Sequence, residues 1–331
     1  MTYSIPDISL PGRGQKRKLR APVIQSPLSG ISDQVFRRLV RRWAPEALLF
    51  TEMINAKSLD MGYGISKINE LAEENGPIGV QIFDYRVDAM VEAAIKAEEA
   101  GAFLIDINMG CPVRKIARKG GGSGLIKEPE LAAKIVREVS KSVQIPITVK
   151  TRLGWCEKTS NSIDFALNLQ DAGAQLVTLH GRTRKQGFSG QANWFEIAKV
   201  KQALDIPIIA NGDINNVEDA FKCLSITKAD GVMIGRGSMG APWLVGQINE
   251  ALKGRKIPPT PLAKERVLIA LEQLNNLLEK KGPHGLLIAK KHMNWTCKGF
   301  IGSRELRQAL IRSTKPDEAI NLLKKTIDQL P

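Results

Sequence analysis

The sequence predicts an α/β fold: a (β/α)8 TIM barrel followed by a small all-α helical C-terminal domain. Short β-rich runs alternate with amphipathic segments eight times between Pro22 and Ile234, which is the pattern of parallel strands joined by crossover helices. Eight alternations within about 210 residues favour a closed barrel, because a doubly wound sheet normally has only about five or six strands. After Ile257 the alternation stops and only helical periodicity remains.

Each β-rich run is expected to form one barrel strand. The runs are Pro22–Ser26, Leu48–Thr51, Ile78–Ile82, Phe103–Ile107, Ile147–Thr151, Leu176–His180, Ile208–Ala210 and Gly231–Ile234. Four of the segments between them carry apolar residues at i, i+3 and i+4 spacing, as helices packed on a sheet do. These helices are expected at Val87–Ala100, Pro129–Val143, Ser162–Ala172 and Val217–Leu224.

The two predicted domains meet at a proline-marked connection. The segment PPTPLAK begins at Pro258, and helical periodicity runs from Ala263 onward. We therefore expect a catalytic barrel over residues 1–257 and a helical domain over residues 258–331. The helical part holds 13 Lys and Arg against 7 Asp and Glu, so it is disproportionately basic for its length.

The composition restricts the possible functions. A formal net charge of +14 indicates a polyanionic partner, and 43% hydrophobic residues suffice to bury a large core. The four cysteines lie far apart with no CxxC pair, which argues against a disulfide framework or a metal cluster and favours a reducing cytoplasm. No apolar run approaches the ~18 residues of a membrane span. We expect a monomer with no metal and no membrane partner.

The barrel prediction also fixes where an active site belongs, because catalytic groups of such barrels lie at the C-terminal ends of the strands and in the loops that follow. Polar residues occupy these positions on strands three to eight. They are Gln81 on the third, Asn108 and Cys111 after the fourth, Lys150 and Arg152 on the fifth, His180 on the sixth, Asn211 and Asp213 after the seventh, and Gly235 and Arg236 after the eighth.

Two glycine-containing turns follow the seventh and eighth runs, where barrels bind phosphate. They are NGD at 211–213, which includes Gly212, and GRG at 235–237. Their backbone N–H groups, the Arg236 guanidinium and a short helix expected to begin near Ala241 would together hold a phosphate dianion. The alternative is that the glycines only make tight turns. We expect a phosphorylated cofactor.

Taken together, these motifs resemble the tRNA dihydrouridine synthases, flavin-dependent barrel enzymes with a helical C-terminal domain. The resemblance covers nearly the whole chain, and IAKKHMNW (288–295) is most similar to the bacterial B-type branch. It is carried by SPLSGISD (26–33), TEM (51–53), VQI (80–82), INMGCP (107–112), VKTRLGW (149–155), LHGRTR (179–184), IANGDI (209–214) and DGVMIGRG (230–237).

The resemblance implies bound FMN, which NADPH reduces and which then reduces a uridine of tRNA to 5,6-dihydrouridine. Hydride would pass from flavin N5 to uracil C6, and C5 would receive a proton from the opposite face. Cys111 is the expected general acid, because a thiol with an ordinary pKa of about 8.5 is mostly protonated at neutral pH. The alternative is that Cys111 is a small buried hydrophobe.

The remaining roles are also implied by the resemblance. Lys150 would stabilise the reduced flavin at its N1/C2 edge, His180 would contact the flavin or serve a structural role, and Gln81 would bond its pyrimidine edge. The segment Pro27, Leu28 and Ser29 would line the ring through its backbone. Asn211, Gly212, Asp213, Gly235 and Arg236 complete the cofactor set. Asn108, Arg152 and Arg182 are the expected substrate-binding residues, with Asn108 also suited to the flavin.

Basic loops around the predicted mouth favour a folded RNA as substrate, because a free pyrimidine needs no such field. These loops carry Arg114, Lys115, Arg118, Lys119, Arg182, Arg184 and Lys185. The buried target base would have to flip out, and the glycines at 120–124 would let the Cys111 loop close over it. By contrast, the runs 16–20 and 37–42 are expected to be ordinary solvated faces. The alternatives are a flavin barrel acting on a small pyrimidine, similar to dihydroorotate dehydrogenases, and a non-catalytic nucleic-acid-binding regulator.

Overall fold

The computed structural model describes residues 5–331, apart from the side chain of Asp60. Eight short parallel strands form the wall of a barrel. In chain order they are β3 (Val23–Gln25), β4 (Leu49–Phe50), β6 (Ile78–Phe83), β7 (Leu104–Asn108), β8 (Ile147–Arg152), β9 (Val177–His180), β10 (Ile208–Asn211) and β11 (Gly231–Ile234). Their order in the sheet is β3-β11-β10-β9-β8-β7-β6-β4, and a parallel bridge between Ile24 and Leu48 joins the two ends. The predicted barrel is confirmed.

All eight predicted runs are strands, with bounds that differ by a residue or two at their ends. The second barrel strand ends after Phe50. A separate two-residue strand, β5 (Ile54–Asn55), then pairs with β6 in parallel. The helices of this part of the chain are α1 (Gln34–Trp43), α2 (Ala56–Asp60), α3 (Ile65–Asn69), α4 (Val87–Glu99), α5 (Arg114–Arg118), α6 (Pro129–Ser142), α7 (Ser162–Asp171), α8 (Trp194–Ala203), α9 (Val217–Thr227) and α10 (Leu244–Leu252). The four predicted helices correspond to α4, α6, α7 and α9.

An N-terminal hairpin closes the end of the barrel opposite the predicted active face. Its strands β1 (Ile8–Leu10) and β2 (Arg17–Leu19) pair antiparallel, and Ile8, Leu10 and Leu19 pack with the side chains at the N-terminal ends of the barrel strands. The sequence reasoning missed this hairpin and treated 16–20 as a solvated face. In the structure the Arg17 Nε donates to the Phe103 carbonyl at 3.3 Å, so this residue is part of the seal.

The second basic run is also only partly solvated, which corrects the expectation. Arg37 is 1% exposed and forms ion pairs with Glu70 and Glu74. The Arg41 guanidinium donates to backbone carbonyls, including that of Ala47 at 2.6 Å and that of Pro77, just before β6, at 2.9 Å. Both side chains tie α1 to the segment before β6, because a buried guanidinium needs acceptors for its fixed set of donors.

Four helices follow the barrel and share a core of their own. They are α11 (Ala263–Lys281), α12 (Gly285–Thr296), α13 (Ser303–Arg312) and α14 (Pro316–Gln329). Val35 of α1 also packs into this core, and Glu272 of α11 pairs with Arg42 of α1. Within residues 5–331 no helix is both long and apolar enough to cross a lipid bilayer.

Candidate active site

A cavity of about 520 Å³ opens at the C-terminal ends of the barrel strands. Such a volume lies within the usual range of small-molecule sites, about 300–1,000 Å³. Its wall includes nearly every residue that the sequence nominated. Those on the wall are Pro27, Leu28, Ser29, Gln81, Asn108, Cys111, Lys150, Arg152, His180, Asn211, Gly212, Asp213, Gly235 and Arg236.

Cys111 lies on the cavity wall and is only half-buried. Its backbone N–H donates to the Asn108 side-chain oxygen at 2.9 Å, which fixes the turn after β7. Burial raises the pKa of the thiol, although the cations Arg152 and Lys150 act in the opposite direction. The group is therefore protonated at neutral pH and faces a cavity, which separates it from the fully buried Cys223 and Cys297.

The glycine segment after Cys111 supports it from behind. Gly122 has φ of +54°, and a Cβ there would lie 3.1 Å from the Cys111 Cβ. Ser123 and Gly124 are buried, and the Ser123 N–H donates to the Cys111 carbonyl at 3.2 Å. These residues therefore already pack against the cysteine, and closure of the loop over a bound base stays a prediction.

Lys150 projects from β8 into the same cavity. Its Nζ donates to the Asn211 Oδ1 at 3.0 Å, and the Asn211 amide is in turn held by the Met233 carbonyl at 2.9 Å. Burial, together with the nearby Arg152 charge, lowers the pKa of the ammonium to about 8. A half-buried lysine with one amide partner has donors left for an anionic ligand.

His180 ends β9 and is 6% exposed. Burial and the surrounding cations, Lys150 first among them, lower the pKa of its imidazole far below the ordinary value, so the ring is neutral. Gly212 makes room for it: its φ is +119°, and a Cβ would lie 2.9 Å from the His180 Cδ2. The NGD turn thus has a steric reason for its glycine.

Arg182 and Asp213 pair with each other at the edge of the site. The Arg182 Nη2 lies 2.7 Å from the Asp213 Oδ2, and the guanidinium also donates to the Ser189 and Gly190 carbonyls. Arg182 is 2% exposed and lines a neighbouring groove rather than the cavity. Arg182 therefore holds the loop after β9 from outside the cavity, and its contact with substrate stays a prediction.

Arg152 lies on the cavity wall, but its guanidinium forms hydrogen bonds with backbone carbonyls of two loops. It donates to the Gly110 carbonyl at 2.7 Å, next to Cys111, and to the Gly187 carbonyl at 2.8 Å. It therefore joins the Cys111 loop to the loop after β9. Its predicted contact with substrate would have to use the guanidinium N–H donors that these hydrogen bonds do not occupy.

Phe188 is a cavity residue that the sequence reasoning missed. It is 56% exposed, and its ring centroid lies 4.8 Å from the Arg236 Cζ and 5.6 Å from the Arg152 Cζ. The one available signal was an aromatic residue within the glycine-flanked segment QGFSG after His180. An exposed ring beside cations suits stacking on a base.

The predicted phosphate end contains Gly235 and Arg236, as expected, and a short helix begins three residues after the expected Ala241, whose carbonyl accepts from the Leu244 N–H at 3.0 Å. A 3-10 turn spans Arg236–Ser238, and α10 begins only at Leu244, with no side-chain cap. The Arg236 side chain is 47% exposed, and its Nη2 lies 3.7 Å from the Asp213 Oδ1. Arg236 is thus the cation available to an anion at this end of the cavity.

Helix α12 supports two cavity loops from outside the barrel. Lys291 donates to the Gly30 carbonyl, in the loop that contains Pro27, Leu28 and Ser29. Gly240, beside the cavity residue Met239, has φ of +70° and lies against the backbone of Trp295. The helical part of the chain therefore contributes to the geometry of the site.

Exposed cations surround the mouth in the loop after Cys111. Those exposed are Arg114, Lys115, Arg118 and Lys119. Among residues 5–331, no three His, Cys, Asp or Glu side chains are grouped to hold a metal ion. The described surface near the cavity therefore offers positive charge and aromatic rings rather than carboxylate clusters.

The closed parallel barrel, with a thiol, a lysine and a neutral histidine around one cavity at its strand C-termini, defines an α/β-barrel enzyme. A family model described as "Dihydrouridine synthase (Dus)" matches residues 24–330. The chain therefore belongs to the dihydrouridine synthase family, as the motifs predicted.

Curated relatives match over most of their length. The chain is 51% identical to "Probable tRNA-dihydrouridine synthase 1" of Synechocystis sp., over 93% of this chain and 87% of that protein. It is 39% identical to "Probable tRNA-dihydrouridine synthase" of Rickettsia bellii, over 88% of this chain and 90% of that protein. It is 38% identical to "tRNA-dihydrouridine synthase B" of Pasteurella multocida, over 92% of each, which agrees with the predicted B-type resemblance.

Proposed function

We propose that this protein is a tRNA-dihydrouridine synthase that uses FMN and NADPH to reduce the C5–C6 double bond of a uridine in tRNA. One observation carries the proposal: a protonated thiol, Cys111, faces the same cavity as Lys150 in a chain whose relatives bear that name. NADPH and one proton are consumed for each uridine reduced, so the reaction balances with NADP⁺ and dihydrouridine as products.

The cavity residues fit a flavin mononucleotide. Pro27, Leu28 and Met53 offer apolar contacts for a planar ring, Lys150 offers a cation to its anionic edge, and Arg236 with the two glycine turns suits the phosphate. When bound, FMN supplies to uracil C6 the hydride that it has received from NADPH. The chain's own residues must then place the base and deliver the proton.

Cys111 is the proposed proton donor to C5. The thiol must hold its proton until negative charge develops on the base, and burial raises its pKa in the required direction. Asn108 holds the Cys111 backbone at 2.9 Å, and Arg152 holds the adjacent Gly110 carbonyl. The sulfur therefore sits on a turn that is fixed from both sides, as general acid catalysis requires.

Lys150 is proposed to stabilise negative charge on the reduced cofactor. With a pKa of about 8 its ammonium is mostly charged at neutral pH, and Asn211 directs it into the cavity. His180 is proposed to contact the cofactor as a neutral imidazole, because its lowered pKa removes any role as an acid. Gln81 and Asn108 are proposed to bond the carbonyl edges of cofactor and base.

The substrate is proposed to be folded tRNA with its target uridine flipped into the cavity. The four exposed cations after Cys111 favour a polyanion over a free pyrimidine, and Phe188 is placed to stack on a base at the mouth. Residues 258–331 are proposed to form the helical tRNA-binding domain, with the exposed Lys298, Arg304 and Arg312 as phosphate contacts. Lys291 is not among these contacts, because its ammonium donates to the Gly30 carbonyl beside the cavity.

A flavin barrel acting on a small pyrimidine is the second candidate, and it is favoured only by the modest size of the cavity. The basic mouth argues against it, and the intact Cys111 and Lys150 argue against a non-catalytic regulator. The four cysteines are free, as is usual for proteins of a reducing cytoplasm, and we propose that the protein acts there as a monomer.

The proposal is tested with purified protein. We expect flavin absorbance and bleaching by NADPH under anaerobic conditions. Unmodified tRNA should then restore the oxidised spectrum and gain two mass units per reduced uridine, whereas free uridine should do neither. Reoxidation by uridine alone would favour the small-pyrimidine enzyme, and a colourless protein that binds tRNA but not FMN would favour the regulator.

A further inference from the structure

Asp106 is a buried carboxylate for which the proposed reaction has no role. It lies in the middle of β7, two residues before Asn108, and is 0% exposed. Charged residues are rarely so deeply buried unless they are paired. In this strand, LIDIN, it is the single charged residue, and its alternation with Asn108 places both side chains in the barrel interior.

The strand register explains which side chains Asp106 meets. Gln81 of β6 and Thr148 of β8 are its direct neighbours in the parallel sheet. The Gln81 Nε2 donates to the Asp106 Oδ2 at 2.6 Å, and the Thr148 Oγ1 donates to the Oδ1, also at 2.6 Å. Both carboxylate oxygens therefore accept short hydrogen bonds from neighbouring strands.

A series of hydrogen bonds connects Asp106 to the turn that contains Cys111. With its Nε2 committed to Asp106, Gln81 turns its Oε1 toward Asn108 and accepts from the Nδ2 at 2.7 Å. Asn108 thereby keeps its Oδ1 for the backbone N–H groups of Gly110, at 3.1 Å, and Cys111, at 2.9 Å. Each link has one donor and one acceptor, so the direction of the whole chain is set at its buried end.

We propose that Asp106 is a positioning residue: by accepting from Gln81 it orients the Gln81 and Asn108 amides, and thereby holds the Cys111 turn and presents an N–H donor to the cavity. A carboxylate suits this role because, when ionised, it can only accept, so it permits one orientation of the facing amide. Burial raises the pKa of Asp106 to about 6. The two hydrogen bonds and the charge of Lys150 lower the pKa and so favour the ionised form.

The same chain of bonds determines what the cavity offers a ligand. Gln81 lines the cavity, and after its bonds to Asp106 and Asn108 the second Nε2 hydrogen is its free donor. The matching ligand group is a carbonyl oxygen or a deprotonated ring nitrogen, as on the pyrimidine edge of a flavin. This last step rests on the proposed function, whereas the hold on Cys111 does not.

The test compares two substitutions of Asp106 in a Cys156→Ser background, in which Cys111 is the one cysteine that is not buried. Asp106→Leu removes the acceptor, so Gln81 and Asn108 are free to rotate. Asp106→Asn keeps an oxygen toward Gln81, while its NH2 donates to Thr148, whose hydroxyl has the Ile105 carbonyl at 3.5 Å as an alternative acceptor. The readout is the rate of Cys111 alkylation by iodoacetamide over a series of alkaline pH values, without added cofactor.

We expect Asp106→Leu to raise the pH-independent alkylation rate about five-fold or more, the factor by which loss of one net hydrogen bond shifts a local opening equilibrium. Asp106→Asn should stay within about two-fold of the parent, since the orientation survives. Thr148→Val is the matched control: it removes a partner of Asp106 but no link of the chain, so alkylation should not change.

If folded Asp106→Leu and the parent are alkylated at the same rate, the inference is overturned. It is also overturned if Asp106→Asn raises the rate as much as Asp106→Leu does, because the effect would then come from loss of the charge. If Asp106→Leu does not fold, the double variant Asp106→Leu, Gln81→Met replaces both partners by apolar groups, which is better tolerated. It should show the same acceleration, and its absence would be decisive against the inference. FMN titration reports separately: failure to bind FMN in the parent refutes the proposed function and leaves the alkylation result standing.

Discussion

Replacement of Cys111 by alanine isolates the proton-transfer step. The substitution keeps the Cβ, which would lie 3.1 Å from a Cβ added at Gly122, and keeps the backbone N–H that donates to Asn108 at 2.9 Å. The turn, the Lys150–Asn211 contact and the cavity wall should therefore remain. What disappears is a protonated donor on the wall of the cavity.

The magnitude follows from the role. A positioned general acid contributes about 10²–10⁴-fold to a rate, which corresponds to about 3–5 kcal/mol of activation free energy. We expect Cys111→Ala to lower the rate of dihydrouridine formation by that factor. NADPH should still reduce the bound flavin at a rate within about two-fold of the parent, because hydride transfer to the cofactor needs no proton from the thiol.

The assay is a single turnover in which anaerobically reduced protein is mixed with unmodified tRNA and flavin reoxidation is followed by absorbance. Cys156→Ala is the matched control, since Cys156 lies outside the cavity lining and should leave both half-reactions unchanged. Dihydrouridine formation by Cys111→Ala at close to the parent rate would refute the assigned role. Loss of flavin binding in the variant would refute the structural reasoning instead.

Three further predictions follow from the same geometry. The proposed stabilisation by Lys150 requires the ammonium, so flavin reduction should slow as pH rises through about 8, and Lys150→Met should be slow at every pH and lack this transition. Gly240→Ala should lower the free energy of unfolding by about 1–3 kcal/mol, because its Cβ would overlap the Trp295 backbone at a positive φ. Neutralising the four cations after Cys111 should weaken tRNA binding and reduce the salt slope by up to about 0.9 for each phosphate that the protein no longer neutralises; these cations are Arg114, Lys115, Arg118 and Lys119.

Each of these predictions has a control and a contradicting result. A pH profile of flavin reduction that is flat through 8 in the parent would remove the Lys150 role. Gly254→Ala has a similar φ of +66° with nothing within 4 Å of its Cβ, and an equal loss of stability there would deny the Trp295 contact. Lys134→Gln with Arg137→Gln neutralises exposed cations on α6, and an equal change in salt slope would move the RNA elsewhere.

The barrel was predictable because its strands leave a strong local signal. Runs such as Ile147–Thr151 are short, apolar and followed by helical periodicity. Once the strands are located, the residues at their C-terminal ends are the ones expected at the mouth of the barrel. The predicted residues that line the cavity, Cys111 and Lys150 among them, needed only that rule or the family motifs. Arg182 lies outside the cavity lining, because a residue two positions past a strand end can turn toward either neighbour, and here its guanidinium bonds to Asp213 and to two carbonyls.

Other features depend on contacts between residues distant in sequence. The hairpin β1–β2 has strands of three residues each, too short for periodicity to reveal, and its seal depends on side chains contributed by most of the barrel. From the sequence alone, Arg37 is expected to be exposed like most arginines. It is buried in the structure because Glu74 lies beside it and forms an ion pair with it. Asp106 did leave a signal, a charge within an apolar strand, but its partners are known only from the register of β6, β7 and β8.

The most direct test of the central claim is a crystal structure of the purified protein with its flavin and a tRNA bound. We predict the Cys111 sulfur on one face of the flipped uracil, near C5, and the flavin ring on the other face with Lys150 at its edge. A sulfur turned away from the base into the protein interior, or a base held in a different part of the molecule, would contradict this prediction.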